Sequence, residues 1–268
     1  MRKLSISEVT THDWTFEDDV LNYSTAGIQG IGVWRDKLDN FGEEAGLELL
    51  NNSPLKSANL VDAGYFLSKT RSQTRRAIED TVEAIHLCQR LQTDCLLIVT
   101  GDIGSFFRSQ EQARNIVVEA LKELAPIAND AGVRLAIEPI NQRYPGYTFV
   151  KDIPSTLDIV DAVGVDNVGL LFDTDHLYES PNLFDEISMA GERIFCVHLN
   201  DMPAVPGPGI DRKLMGDGVI PLKEILSAIE ATGYDGYYDV EIMSDTIWRM
   251  DYISLIENIK QRFEDLWD

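Results

Sequence analysis

A chain of 268 residues with 44% hydrophobic and 25% charged residues has the composition of an ordinary globular protein and the size of one domain. Its formal net charge of −22 opposes binding to nucleic acid or to an anionic membrane, so we expect a small neutral substrate. No apolar stretch has the length of a signal peptide or a membrane span, and three cysteines without a Cys-x-x-Cys pair indicate reduced thiols. We therefore predict a cytoplasmic location.

Short apolar strand patterns alternate with helical patterns along the chain. The predicted strands cover residues 3–5, 28–34, 56–61, 95–99, 134–138, 168–173, 194–198 and 237–241. The predicted helices cover residues 15–27, 41–52, 72–91, 111–131, 154–163, 183–190, 221–232 and 252–267. This alternation indicates parallel βαβ units. We predict the α/β class, with residues 1–268 forming a single (β/α)8 TIM barrel domain.

Four consecutive strands in the second half of the chain end in a side chain that can bind a metal ion. These residues are Glu138, Asp173, His198 and Glu241, at intervals that average about 34 residues, the size of one strand-plus-helix unit. The carboxyl ends of barrel strands carry the active site, so we expect the four side chains to converge there. Two Glu, one Asp and one His suit one hard or borderline divalent cation.

Side chains alternate between the inside and the outside of a barrel along each strand. If Glu138 and Glu241 point inward, Ala136 and Asp239 point inward with them. A carboxylate inside the barrel needs a partner. We expect Arg134 to be that partner for Asp239, and otherwise the predicted phase of the eighth strand is wrong.

Further residues near the predicted strand ends are candidates for a substrate pocket. Trp34 follows the second strand and is expected in the pocket wall, although the charged residues after it also suit a surface salt-bridge cluster. Trp14 is a second candidate for this wall. The loop 141–151 contains Pro and Gly and is of the kind that covers a site. We expect Asp175 to be a solvated or capping acid rather than a ligand.

Six short motifs in barrel order resemble the xylose isomerase-like TIM-barrel superfamily, which includes the sugar phosphate isomerases and epimerases. They lie at residues 30–37, 137–139, 172–176, 197–200, 212–218 and 240–242. The resemblance implies that one divalent metal is held by Glu138, Asp173, His198 and Glu241. We expect Mn²⁺, with Mg²⁺, Co²⁺ or Zn²⁺ as alternatives. The resemblance also implies that His176 and Arg212 bind substrate oxygens.

These residue types fit the isomerisation or epimerisation of a keto sugar or keto polyol. Such a reaction removes a weakly acidic C–H proton, and an oxygen-bound metal stabilises the resulting enediolate. Glu138 and Glu241 are expected to act as the base and the acid. Whether the substrate is phosphorylated, and whether the chain forms a homo-oligomer, stays open.

Three other functions use similar residues. A metal-dependent lyase, resembling inosose dehydratases or keto-glycoside-cleaving enzymes, would use the same site with one further group, for which His176 is the candidate. A metal-binding subunit without catalytic activity is the second alternative. A nuclease with a zinc cluster is disfavoured, because the chain has only four histidines and a charge that repels DNA.

Overall fold

The computed structural model describes residues 2–104, 109–205 and 211–267. Eight strands close into a parallel barrel in which each strand lies between its neighbours in sequence. They are β1 (Lys3–Ser7), β2 (Gly30–Trp34), β3 (Lys56–Gly64), β4 (Cys95–Val99), β5 (Arg134–Ile137), β6 (Val168–Asp173), β7 (Ile194–Leu199) and β8 (Tyr237–Val240). The predicted (β/α)8 barrel is confirmed.

Helices follow the strands and cover the outside of the barrel. They are α1 (Phe16–Thr25), α2 (Arg35–Phe41), α3 (Glu43–Asn51), α4 (Arg71–Leu91), α5 (Gln110–Ala131), α6 (Ile153–Val163), α7 (Thr174–Leu177), α8 (Leu183–Ala190), α9 (Leu222–Ala231) and α10 (Tyr252–Asp265). Strands covered on both faces must be apolar on both, and β4 and β6 are buried along their whole length. Within the described residues, no helix is both long enough and apolar enough to cross a bilayer. The cytoplasmic location stays a prediction.

The segment after β2 differs from the single helix predicted over residues 41–52. The chain forms α2 directly after Trp34 and begins α3 after Gly42. Gly42 has a φ of +106°, a backbone conformation that glycine adopts without steric cost and that interrupts the helix. β3 also continues beyond its predicted end at Val61 to Gly64, which brings Asp62 to the carboxyl end of the barrel.

The inward face of the barrel agrees with the predicted alternation. Asp239 is fully buried and accepts hydrogen bonds from Oγ of Ser5 (2.6 Å) and Nδ2 of Asn59 (2.8 Å). Arg134 instead pairs with Asp94 at 2.6 Å, so the predicted partner of Asp239 is wrong. The physical reason is position: Arg134 begins β5 and therefore lies at the amino end of the barrel. Two neutral donors, rather than Arg134, make the hydrogen bonds to the inward carboxylate.

Candidate metal and substrate site

Strand register brings the four expected ligands to the same end of the barrel. The backbone amide of Glu138 donates to a carbonyl of β4 and that of Glu241 to a carbonyl of β7, both at 3.0 Å, which extends the strand pairing by one residue. Asp173 ends β6 and is the register partner of His198 on β7. One ligand atom from each of these four side chains lies within 4.8 Å of the others, and all four side chains are buried. We call these four residues the ligand cluster.

The surroundings of the two ring nitrogens of His198 indicate whether a cation would fit in the ligand cluster. Its Nδ1 lies 3.5 Å from Oε2 of Glu241 and 3.9 Å from Oε1 of Glu138. Neither ring nitrogen has a hydrogen-bond partner among the described residues, although the side chain is fully buried. A buried polar atom without a partner is unfavourable. A divalent cation between the imidazole and the carboxylates would satisfy Nδ1, and the donor set suits such an ion.

Burial and the crowding of carboxylates shift the pKa values of the residues in the ligand cluster. Burial, followed by the charge of Glu241, raises the pKa of Glu138 well above its usual value. Burial also opposes ionisation of Glu241, but the charges of His198 and Arg212 lower the pKa of that carboxyl group. For His198, burial opposes the charged form, yet the neighbouring carboxylates raise its pKa to about 10. A bound cation would relieve this crowding of carboxylates.

Asp173 is oriented toward the cluster by three neutral donors. Its Oδ1 accepts hydrogen bonds from the backbone N–H groups of Asp175 (2.8 Å) and His176 (3.3 Å), which makes Asp173 the N-cap of α7. Nδ2 of Asn200 lies 3.1 Å from both carboxylate oxygens. The start of a helix also favours a negative charge at its N-cap. The sequence therefore uses one residue both to begin α7 and to face the other ligands.

Arg212 and His176 lie beside the ligand cluster. Nη1 of Arg212 donates to Oε2 of Glu241 at 2.7 Å, and Nη2 lies 3.2 Å from both Oδ2 of Asp173 and Nε2 of His176. Nε2 of His176 lies 4.0 Å from Oε1 of Glu138. Burial lowers the pKa of His176 to about 4, so its ring is uncharged at neutral pH. The two residues thus present a fixed cation and a neutral imidazole next to the carboxylates.

A cavity of about 360 Å³ opens onto these residues and is lined by Glu138, Glu241, His176 and Arg212. Trp34 lies in its wall. Trp14 is not among the described residues that line the cavity, and packs edge-on against Tyr252 with ring centroids 5.2 Å apart. Trp34 therefore occupies the expected place and Trp14 does not.

Several cavity residues are absent from the expected set. His12 and Trp248 stack at 4.6 Å next to Trp34. Asp62 also lines the cavity and accepts a hydrogen bond from the hydroxyl of Tyr65. Both residues lie beyond the predicted end of β3 at Val61, and neither belongs to the six motifs. In the structure, β3 continues to Gly64 and includes Asp62.

The loop 141–151 reaches the same cavity. Tyr144 and Tyr147 line it, in agreement with the expected covering loop. Asp175, however, is buried rather than solvated: its Oδ1 accepts from Nη2 of Arg143 (2.5 Å), and its Oδ2 accepts from the hydroxyl of Tyr144 (2.8 Å) and from Nε of Arg212 (3.3 Å). The prediction of a solvated Asp175 is wrong, because Arg143 and Tyr144 of the loop, together with Arg212, enclose its carboxylate.

Fold and geometry together define a (β/α)8 barrel with a carboxylate and histidine cluster at the carboxyl end of its strands. The sequence model of the xylose isomerase-like TIM barrel matches residues 9–262. The chain belongs to this family.

Similar proteins support the same assignment. An inosose isomerase of Bacillus velezensis is 31% identical over 272 residues, which cover 98% of this chain and 96% of that protein. The crystal structure of protein SMc04130 from Sinorhizobium meliloti is 32% identical, covers 98% of both chains and superimposes with a TM-score of 0.93. The IOLI protein, crystallised with a zinc atom, is 24% identical over 98% of this chain and 97% of that one, with a TM-score of 0.87, and shares the fold.

Proposed function

We propose that this protein is a divalent-metal-dependent isomerase or epimerase of a neutral keto polyol or keto sugar. The observation that carries the proposal is the convergence of Glu138 and Glu241 on one candidate metal position at the edge of the substrate cavity. The full-length similarity to an inosose isomerase supports a cyclic keto polyol as the substrate class.

Glu138, Asp173, His198 and Glu241 would hold the metal. We propose Mn²⁺, because three carboxylates and one imidazole form a mainly oxygen donor set, and Mg²⁺, Co²⁺ or Zn²⁺ are the alternatives. When bound, such a cation stabilises the negative charge that an enediolate places on two neighbouring oxygens.

The protein's own residues perform the proton transfers. Glu138 and Glu241 form the pair in which one carboxylate removes the proton beside the carbonyl and the other carboxyl group returns a proton. Arg212 and His176 bind substrate oxygens next to this pair, and the permanent charge of Arg212 favours the developing oxyanion. Trp34, with His12 and Trp248, forms an aromatic wall that excludes water from the apolar face of the substrate.

The charges of the cavity favour an uncharged, unphosphorylated substrate. Arg212 is the only lysine or arginine that lines it within the described parts of the chain. Its guanidinium already faces Asp173, Asp175 and Glu241 at 2.7–3.3 Å. A phosphate would need further cations or a cluster of backbone donors. The overall charge of −22 would repel it as well.

A lyase that uses the same site is the alternative function. Elimination requires a group that protonates the leaving oxygen, and His176 is the candidate, since its Nε2 lies 4.0 Å from Oε1 of Glu138. Burial lowers the pKa of His176 to about 4, so at neutral pH the ring is almost entirely unprotonated and is seldom available as the general acid. This favours the isomerase. A metal-binding subunit without catalysis would bind the ion and exchange no substrate proton.

The test follows proton exchange and product mass in D₂O. Enzyme purified without chelator and supplied with Mn²⁺ is incubated with a panel of keto sugars and inososes. The isomerase incorporates deuterium beside the carbonyl and yields a product of unchanged mass apart from the label. Loss of water or an alcohol would establish the lyase instead.

Two matched variants assign the proton-transfer pair. Glu138→Gln and Glu241→Gln keep the size of each side chain and remove its basicity, so each should slow exchange by about 10²–10⁴-fold. Glu48→Gln, at an exposed position on α3, serves as the control and should exchange at the native rate. Native exchange rates in both site variants would contradict the proposed mechanism.

A further inference from the structure

Asp239 lies inside the barrel, one layer below the ligand cluster. It is fully buried on β8, two residues before Glu241, and is the register partner of His198 on β7. Its Oδ2 lies 3.7 Å from Nε2 of His198. Within the described ranges, His198 is the only basic side chain within 4.0 Å of this carboxylate. The function proposed above gives Asp239 no role.

Three other strands hold and accommodate this carboxylate. Ser5 on β1 donates to Oδ1 at 2.6 Å, and Nδ2 of Asn59 on β3 donates to Oδ2 at 2.8 Å. Gly32 on β2 supplies the space, because a Cβ at that position would lie 2.2 Å from Oδ2 of Asp239. Both donors are neutral, so they fix the direction of the carboxylate without cancelling its charge. The charge remains directed toward the imidazole.

The two nitrogens of His198 face different groups. Nδ1 faces Glu138 and Glu241, and Nε2 faces Asp239. An imidazole that binds a cation through Nδ1 carries its remaining proton on Nε2. That N–H group is fully buried and needs an acceptor. A movement of about 1 Å would bring Oδ2 of Asp239 to hydrogen-bonding distance.

We propose that Asp239 is a positioning residue that accepts a hydrogen bond from Nε2 of His198, so that Nδ1 is directed at the metal. The inference rests on the proposed function, because it requires a cation at the ligand cluster. A carboxylate behind a metal-binding imidazole fixes its tautomer and ring direction and raises its basicity as a ligand. If the role of Asp239 were purely structural, it would contribute only its hydrogen bonds with Ser5 and Asn59.

The experiment measures Zn²⁺ affinity and the protonation of each histidine nitrogen. Zn²⁺ is diamagnetic, so long-range ¹H–¹⁵N spectra can report the four histidines of this chain. In the Zn²⁺-loaded wild type, we expect His198 to show a zinc-bound Nδ1 and a protonated, strongly hydrogen-bonded Nε2. The reverse pattern, with zinc on Nε2, would overturn the proposal without any variant.

Asp239→Asn is the decisive variant, since it keeps the shape of the side chain and an acceptor oxygen but removes the charge. We expect its Zn²⁺ affinity, measured by competition with a chelator, to fall about 10–100-fold. The Nε2–H proton of His198 should move upfield, because its hydrogen bond is weaker. Ser5→Ala is the matched control: it removes the donor to Oδ1 and leaves the charge beside His198, so we expect a change of no more than about threefold.

The outcomes separate this inference from the proposed function. Tight Zn²⁺ binding by the wild type with equal binding by Asp239→Asn overturns the positioning role and leaves the metal site intact. Equal losses in Asp239→Asn and Ser5→Ala also overturn it, because loosening of the barrel interior would then explain both. A wild type that binds no divalent ion overturns both proposals.

Discussion

Two buried groups of charged side chains lie near the carboxyl ends of the strands, and they are built differently. The ligand cluster combines three carboxylates with His198. The second group, which we call the lysine cluster, consists of Glu8, Asp19 and Lys37, all buried. Glu8 directly follows β1, whereas Asp19 lies on α1 and Lys37 on α2. The lysine cluster thus lies between the barrel and its first helices.

The lysine cluster contains its own cation. Nζ of Lys37 lies 2.7 Å from Oδ2 of Asp19 and donates to the carbonyl of Thr11 at 2.9 Å. Thr11 also donates to Asp19 at 2.5 Å, and Oε2 of Glu8 accepts from the backbone amide of Trp34 at 2.8 Å. In the ligand cluster, by contrast, neither nitrogen of the basic residue His198 has a partner among the described residues; in the lysine cluster, Oε1 of Glu8 lacks one. Similar residue types therefore form two different arrangements: one group contains its own cation, and the other is the group for which we propose a bound ion.

The largest effect should come from Asp173→Asn in the ligand cluster. Asn also caps helices well, so α7 should form, while the loss of one charged ligand should weaken metal binding by more than about 100-fold. Metal analysis of the purified protein and chelator competition measure this change. Asp166→Asn, at an exposed site, is the control. A folded Asp173→Asn protein with full metal occupancy would refute the ligand assignment.

Lys37→Met should have an effect of similar size, on folding rather than on metal binding. Removing the cation leaves Asp19 buried and unpaired, which should lower the free energy of unfolding by about 3–5 kcal/mol. Denaturant unfolding measures the change, with Lys223→Met on the exposed side of α9 as the control. Metal affinity should stay at the wild-type value. A stable Lys37→Met protein that binds metal poorly would reverse the roles given to the two clusters.

Arg212→Ala tests the cation that borders the ligand cluster. We expect the protein to keep its metal but to lose about 2–4 kcal/mol of transition-state stabilisation, measured from kcat/KM. Arg212→Lys keeps a charge without the planar fork and should recover only part of the activity. His176→Ala should likewise retain metal and lose turnover. Wild-type kinetics in Arg212→Ala and His176→Ala would show that neither side chain contacts the substrate.

Glu8→Gln should have the smallest effect, and it should depend on pH. Burial, followed by the charge of Asp19, raises the pKa of Glu8 well above its usual value. The folded state therefore holds this proton more tightly than the unfolded state does, so stability falls as the pH rises from the unfolded pKa toward the folded pKa. Glu8→Gln removes that loss. The stability of Glu8→Gln relative to wild type should therefore be higher at pH 8 than at pH 5, by on the order of 1 kcal/mol. Unfolding curves at both pH values, with exposed Glu48→Gln as control, measure it. A stability difference between Glu8→Gln and wild type that is the same at both pH values would contradict this reading.

The contrast between the clusters also explains what could be predicted from the sequence. The ligand cluster follows from barrel geometry, because four strands of known polarity each end in a ligand type. Nothing comparable marks the lysine cluster. Its members come from a strand end and two helices, and Lys37 lies on α2, which begins directly after Trp34. The helix predicted over residues 41–52 begins after Lys37, so it gives no indication that Lys37 points inward.

Long-range contacts set the other limits of prediction. The direction of Asp239 follows from strand alternation, but its partners Ser5 and Asn59 lie 234 and 180 residues away in the chain. The burial of Asp175 depends on Arg143 and Tyr144, which reach it from a loop. Alternation along a strand is a local property, whereas the identity of a partner across the barrel is not.

The attachment of the loop 141–151 limits how the pocket can be altered. Arg143 and Tyr144 bind the carboxylate of Asp175, and the ring of Tyr144 packs edge-on against His176 with centroids 5.2 Å apart. Asp175 and His176 also belong to the short helix that Asp173 caps. Exchanging this loop with that of a relative, to change substrate range, would therefore disturb a proposed substrate-binding histidine as well as the cavity wall. The loop and α7 are a single module for protein engineering and should be exchanged together.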